Sequence, residues 1–204
     1  MSHATWKELN QLRYDAFSTI FHESLQEKYV ALLMTRVTEL CHDAIELIEH
    51  NRYASVPIIM RSALESYVDL MCLIKDPEYI KEMNKSFEIY NLKVNGQKHS
   101  KKELKKIWEK FSLAEESVTY NGLYADLCRS AHGNIETLIR DHSIEEKISI
   151  GHKLSLSSEK LYLNQIITLA ATSLVEGLQF LKHTGVTLDK IIKIQGLAGS
   201  ANYA

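Results

Sequence analysis

Proline and glycine are scarce in this chain, whose 204 residues include two prolines and eight glycines. Because these residues end helices and form tight turns, their scarcity favours a few long helices over a sheet of many strands. No apolar run approaches the roughly 18 residues that cross a bilayer, and the first ten residues hold no apolar signal segment. We therefore expect a cytoplasmic protein with no membrane association.

Cysteine and net charge are low as well. The three cysteines are odd in number and widely spaced among apolar residues, which is typical of reduced core thiols rather than of disulfides or a zinc site. The formal net charge of −2 gives the chain no overall attraction to nucleic acid or to an anionic membrane. Composition thus argues against a disulfide-stabilised fold but points to no function.

The apolar residues that are present recur at helical spacing along most of the chain. They predict helices over about residues 5–22, 25–49, 54–74, 77–94, 101–114 and 158–183, one that carries His132 after Asn121-Gly122, and a short one over 187–194. Residues 143–157 alternate less regularly and predict an irregular connection or a short hairpin. We expect an all-α, single-domain helical bundle over residues 1–195, followed by a flexible C-terminal tail over residues 196–204.

Arg61 and Glu65 are charged residues in an otherwise apolar helix. They are four positions apart and so lie on one face, at the boundary between the apolar surface and a polar sector that contains Asp69. A charge at such a boundary is costly unless it is paired. The pair is either a surface salt bridge, worth a few tenths of a kcal/mol, or a partly desolvated pair that holds a neighbouring helix or binds an anion.

The segment from Tyr124 to Asn134 is the second polar signature. Its apolar residues form a helical stripe, with His132 at the edge and Arg129 further toward solvent. Gly133 and Asn134 predict a local break that exposes the imidazole. A histidine in this position can act as a general acid or base near neutral pH; the alternative is a hydrogen-bonded histidine at the edge of the core.

These two signatures together resemble a bacterial helical family of unknown function. The first reads Ile-Met-Arg-Ser-Ala-Leu-Glu-Ser-Tyr-Val-Asp-Leu over residues 59–70, in a helix that ends at Asp76-Pro77. The second reads Tyr-x-x-Leu-x-x-x-x-His-Gly over residues 124–133. The resemblance spans residues 30–180 or so, and the family is distantly similar to HEPN domains (higher eukaryotes and prokaryotes nucleotide-binding), many of which are ribonucleases or toxins.

The resemblance implies a HEPN-like fold and a site for RNA. HEPN ribonucleases use an arginine a few residues before a histidine, commonly in a dimer cleft; here only two residues separate Arg129 from His132, so Arg61 is an alternative arginine. The histidine would assist attack by the ribose 2′-hydroxyl, and the arginine would stabilise the phosphorane, without metal or cofactor. The implied catalytic residues are His132, Arg61 and Arg129, with Glu65, Tyr124 and Asn134 as binding or orienting residues.

A basic cluster spans the loop after the fourth predicted helix and the first residues of the fifth. Its candidates for contact with RNA phosphates are Lys98, Lys101, Lys102 and Lys105. Acidic residues are interspersed among them, so a solvated loop and helix face is the alternative.

Metal binding has little support in the sequence. Glu39 and His42 have a Glu-x-x-His spacing, but di-iron helical bundles need two such motifs on two helices together with further glutamates. The chain has no second copy. We therefore predict no metal site.

Two functions of different classes stay open. In the first, the chain is a HEPN-like protein that binds or cleaves RNA without metal in a bacterial defence or toxin context. In the second, it is a non-catalytic interaction or dimerisation module in which Arg61, Glu65 and His132 form a structural polar clasp. A homodimer or a partner protein is compatible with both.

Overall fold

The computed structural model describes residues 2–96, 104–132, 139, 143–144, 147–148 and 156–200. Their regular secondary structure is helical apart from two strands of two residues each, which confirms the all-α prediction. The helices are α1 (His3–Phe17), α2 (Leu25–Glu49), α3 (Val56–Lys75), α4 (Tyr79–Val94), α5 (Ile107–Leu113), α6 (Ser117–Thr119), α7 (Ala125–Ala131), α8 (Leu156–Phe180) and α9 (Val186–Ser200). A π-helical turn (Tyr120–Tyr124) joins α6 to α7, and a 3₁₀ turn (Tyr53–Ser55) precedes α3.

The long helices α2, α3 and α8 form the centre of the structure. Helix α2 packs along both α3 and α8, α1 and α9 pack on α8, and α7 packs on α3. Gly177 permits a close approach of α8 to α2, because a Cβ at this position would lie 2.6 Å from Met34 Sδ. The α7–α3 contact matters most for function, since it brings the two polar signatures together.

Local sequence explains where the two central helices begin. The Ser24 hydroxyl accepts from the backbone N–H of Glu27, and the Glu27 carboxylate accepts from the backbone N–H of Ser24, so a capping box starts α2. Pro57 lies in the first turn of α3, where a missing N–H costs little. Helix α2 has the predicted bounds, and α3 agrees with its prediction to within two residues.

Several predicted boundaries require correction. Helix α5 begins at Ile107 rather than near residue 101, so Lys105 precedes it. We expected a flexible tail from residue 196, but α9 continues through Ser200, because its buried stripe extends past Ile194 to the fully buried Ala198. Residues 201–204 lie outside the described residues.

The regions around residues 121 and 143 also differ in detail from expectation. Asn121-Gly122 was expected to precede a helix, but both residues lie inside the π turn, which continues α6 into α7. In the uncertain region, β1 (Ser143–Ile144) pairs antiparallel with β2 (Lys147–Ile148), in agreement with the short hairpin. None of the helices in the described ranges has both the length and the apolar character needed to cross a membrane.

Candidate functional site

Arg61 and Glu65 form a direct ion pair on α3. Arg61 Nε donates to Glu65 Oε1 at 3.0 Å, and the two side chains are 31% and 36% exposed. The hydrogen bond that Arg61 donates to Glu65 raises the pKa of Arg61, which keeps the guanidinium charged. The pair is therefore partly desolvated, as the second of the two sequence interpretations requires.

Tyr124 connects this pair to the neighbouring helical segment. Its hydroxyl donates to the same oxygen, Glu65 Oε1, at 2.7 Å, while the residue is only 6% exposed. Burial, and then the hydrogen bond to Glu65, raise the pKa of Tyr124, so the hydroxyl stays protonated and remains a donor. One carboxylate oxygen thus accepts from two helical segments.

An aromatic cluster holds Tyr124 in place. Its ring centroid lies 4.9 Å from that of the fully buried Phe111 and 5.5 Å from that of Tyr120, with which it stacks. Tyr120 and Tyr124 are the first and last residues of the π turn, and such turns are frequent at functional sites. The turn and the rings beneath it fix the direction of the hydroxyl toward Glu65.

His132 is the C-cap of α7 and is exposed. Its Nε2 lies 3.3 Å from a terminal nitrogen of Arg61, 71 positions earlier in the chain. A guanidinium offers only donors, so Nε2 must accept, and the hydrogen bond requires a neutral imidazole with its proton on Nδ1. The contact therefore fixes one neutral tautomer of His132 and occupies its single unprotonated nitrogen.

Arg61, Glu65, Tyr124 and His132 together are called the Glu65 cluster. Its hydrogen bonds run in series from the Tyr124 hydroxyl through Glu65 and Arg61 to the exposed imidazole. With His132 neutral, its charges cancel, since Arg61 carries +1 and Glu65 −1. The cluster is thus a pre-arranged polar chain with an accessible end rather than a strongly positive cleft.

Arg129 is not part of this chain of contacts. Its guanidinium pairs with the carboxylate of Asp126, three residues earlier, and both side chains are more than 60% exposed. An ion pair on a solvated helix face contributes little to stability. The structure therefore places Arg129 in a surface pair, apart from the Glu65 cluster, and Arg61 is the arginine that meets His132. Asn134 lies outside the described residues.

The lysines predicted to contact phosphates are not brought to the cluster where they can be located. Lys98, Lys101 and Lys102 lie outside the described residues. Lys105 is exposed, and its backbone N–H donates to the Glu82 carboxylate. Lys105 precedes α5, which contacts α3 through the hydrogen bond from Cys72 to the backbone oxygen of Lys110. At 1.5 Å per residue, Cys72 is about 16 Å along α3 from Arg61.

A second polar cluster on α3 was missed by sequence reasoning. The Tyr79 hydroxyl donates to Asp69 Oδ1 at 2.5 Å, and Lys110 Nζ donates to the same oxygen at 2.9 Å. Asp69, Tyr79 and Lys110 are called the Asp69 cluster. Burial, followed by the charge of Asp69, raises the pKa of Tyr79. Helical phase assigned Asp69 to the polar sector of α3, but its two partners come from α4 and α5, which no local pattern reveals.

The metal prediction can be compared with the described residues alone. Among them, no group of three or more His, Cys, Asp or Glu side chains lies close enough together to hold a metal ion. Glu39 is exposed, while the ring of His42 stacks on Trp6 with centroids 6.1 Å apart. The two residues of the Glu-x-x-His spacing therefore lie in different surroundings: the Glu39 side chain is in solvent, and the His42 ring packs between helices.

Comparison with known proteins gives one family similarity. Residues 27–117 match the family described as "Family of unknown function (DUF5677)". The matched range contains Arg61 and Glu65 but ends before Tyr124 and His132. No curated protein and no solved structure matches the chain. The finding supports the predicted similarity to an uncharacterised family, and it does so through the helix that carries half of the Glu65 cluster.

Proposed function

We propose that this chain is a HEPN-like protein that binds RNA and cleaves it without a metal, in a bacterial defence or toxin context, with Arg61 and His132 as the reacting groups. The observation that supports this most is the 3.3 Å contact between Arg61 and His132 Nε2. A permanent cation and an exposed imidazole lie side by side, which is the pair that metal-free phosphodiester cleavage needs.

In the proposed reaction, the RNA phosphate accepts the N–H that Arg61 otherwise donates to His132 Nε2. The freed Nε2 accepts the proton of a ribose 2′-hydroxyl, and the 2′-oxygen attacks the adjacent phosphorus. The O2′–P bond forms while the P–O5′ bond breaks, which gives a 2′,3′-cyclic phosphate. The leaving 5′-oxygen takes a proton from water. Arg61 donates from its remaining terminal N–H groups to the phosphorane oxygens, where charge accumulates.

Glu65 and Tyr124 act as positioning residues in this proposal. Glu65 holds Arg61 through Nε, which leaves the terminal nitrogens directed toward His132. Tyr124 fixes the Glu65 carboxylate from the other side. Such pre-arrangement lowers the cost of ordering the arginine when a phosphate arrives.

The experiment compares cleavage of a labelled single-stranded RNA, with EDTA present, by the wild type and by His132→Ala and Arg61→Ala. The matched control is His50→Ala, since His50 is also an exposed C-cap, with φ −93° and ψ 10° against −87° and 5° for His132. We expect losses of about a hundredfold or more for the two site variants and none for the control. Equal cleavage by all four folded proteins, or none by the wild type, contradicts catalysis.

The second candidate function, the non-catalytic polar clasp, is favoured by a different observation. Glu65 Oε1 accepts from both Arg61 and the buried Tyr124, so one carboxylate fastens α7 to α3. In an interaction module this bond would stabilise a binding face rather than a reaction. A wild type that cleaves no RNA, together with an Arg61→Ala variant that unfolds at lower urea concentration, supports the clasp.

A further inference from the structure

A cavity, called the Glu116 cavity after one of its lining residues, lies between α3, the π turn and α8. Its volume is about 200 Å³, and Leu64, Leu123 and Leu169 form apolar walls. Polar groups of Glu116, Gln165 and Thr168 line the same space. At about 30 Å³ per water in the liquid, the cavity has room for an occupant of roughly six heavy atoms.

Glu116 brings an anion to this cavity. Its carboxylate accepts from the Tyr67 hydroxyl at 3.1 Å and from the Thr119 hydroxyl at 2.5 Å, both of which are neutral donors. Within the described part of the chain, no lysine, arginine or histidine nitrogen lies within 4.0 Å of this carboxylate. Burial, and then the charge of Glu116, raise the pKa of Tyr67, so its hydroxyl stays protonated and remains a neutral donor to Glu116. The cavity is therefore electrostatically prepared for a cation.

Two further acceptors are available on α8. Thr168 Oγ1 is buried and has no hydrogen-bond partner among the described residues. Gln165 lies one turn earlier on the same helix and also lines the cavity. Because Oγ1 itself is not exposed to the cavity, the Thr168 side chain must rotate to meet an occupant. The hydrogen bond gained would then remove the free-energy cost of a buried hydroxyl without a partner.

We propose that this cavity binds a small organic cation, an alkylammonium or guanidinium group on a short apolar stem, either as a free molecule or as a lysine or arginine side chain of a peptide. The cationic head donates to Glu116, Thr168 and Gln165. The stem packs against the leucine walls, as long basic side chains do on apolar surfaces. The proposal is independent of RNA cleavage, because the Glu65 cluster contributes no group to this cavity.

The test is an NMR titration of the ¹⁵N-labelled full chain with n-butylammonium and n-butylguanidinium. The comparison compounds are 1-butanol, a neutral molecule of equal size, and butyrate, an anion. N-acetyl-lysine methylamide represents the peptide source. We expect saturable chemical-shift changes around α3 and α8 with the cations alone, with dissociation constants on the order of millimolar. If the lysine amide also binds, a basic side chain of a peptide can occupy the cavity. If only the free cations bind, the occupant is a small molecule.

Variants test the assigned groups. Glu116→Gln keeps the shape and removes the charge, and it should weaken binding roughly tenfold or more. Glu115→Gln is the matched control, because that neighbouring side chain is 82% exposed and pairs with Lys75 outside the cavity. If Glu116→Gln does not fold, Thr168→Val replaces it as the test. Weaker cation binding by Thr168→Val would support the proposal, and unchanged binding would contradict it. No saturable binding of either cation, equal binding of 1-butanol, or unchanged affinity in a folded Glu116→Gln protein overturns the proposal.

Discussion

Helix α3 carries two clusters built from the same three kinds of group. In the Glu65 cluster a carboxylate accepts from Tyr124 and from Arg61; in the Asp69 cluster a carboxylate accepts from Tyr79 and from Lys110. In both, the tyrosine is buried and its pKa is raised, mainly by burial.

The two clusters differ in the exposure of their ion pairs and in whether their hydrogen bonds continue to a further side chain. The Lys110 and Asp69 side chains are 21% and 25% exposed, and the lysine completes a three-way contact among α3, α4 and α5. The Arg61 and Glu65 pair is more open, and its hydrogen bonds continue to the exposed ring of His132. A carboxylate, a tyrosine and a cation are therefore enough to fasten helices, and a functional claim must rest on what the Glu65 cluster has in addition.

The largest expected difference is in RNA cleavage. Glu65→Gln keeps the size of the side chain but weakens its hold on Arg61, so we expect the cleavage rate to fall roughly tenfold to a hundredfold. Asp69→Asn makes the matching change in the Asp69 cluster and should leave the rate unchanged. Single-turnover cleavage by both variants measures the contrast, and equal losses would show that the assay reports fold integrity rather than a site.

Folding stability should depend more on the Asp69 cluster than on the Glu65 cluster, the opposite of the order expected for cleavage. Asp69→Ala removes the acceptor of two partly buried donors and should lower the free energy of unfolding by about 2–3 kcal/mol. Glu65→Ala should cost about 1 kcal/mol, since its ion pair is more exposed and solvent screens it. Urea denaturation gives both values. A larger loss for Glu65→Ala than for Asp69→Ala would make the Glu65 cluster the main structural clasp.

Alkaline pH should weaken both clusters through their tyrosines. A raised folded-state pKa means that the ionised form is disfavoured in the folded chain, so the stabilisation is complete below the unfolded tyrosine pKa of about 10 and declines as the pH rises beyond it. Urea midpoints measured from pH 8 upward should therefore fall above about pH 10. Tyr79→Phe and Tyr124→Phe should each reduce that slope, and a wild-type slope retained in both variants would assign it to other groups.

Sequence reasoning located the Glu65 cluster because both of its halves have local signals. Arg61 and Glu65 share a helical face, and the spacing from Tyr124 to His132 belongs to a single motif. Arg129 lies apart from the cluster: its position three residues after Asp126 already favoured a pair along the helix surface, whereas the contact between Arg61 and His132 depends on how α7 packs on α3.

The Asp69 cluster and the Glu116 cavity illustrate what local patterns do not contain. Tyr79 and Lys110 follow Asp69 by 10 and 41 positions, and neither belongs to a recognisable motif. The cavity needs α3, the π turn and α8 at once, and the π turn includes Asn121-Gly122, which were expected to precede the helix that carries His132. Each of these features is set by packing between distant helices, which a single sequence specifies only through its complete fold.

The smallest expected effect compares one cysteine beside each cluster. The Cys72 thiol donates to the backbone oxygen of Lys110, and burial raises its pKa to about 11, so little reactive thiolate forms near neutral pH. Cys128 lies one turn after Tyr124 and is partly exposed. Iodoacetamide at pH 8 should therefore label Cys128 first, as mass spectrometry of the intact and digested protein would show, with Cys128→Ser as the control that removes the early label. Faster labelling of Cys72 would mean that the Asp69 cluster opens more readily than the Glu65 cluster, which would reverse the assignment of the enclosed cluster to structure and the open one to function.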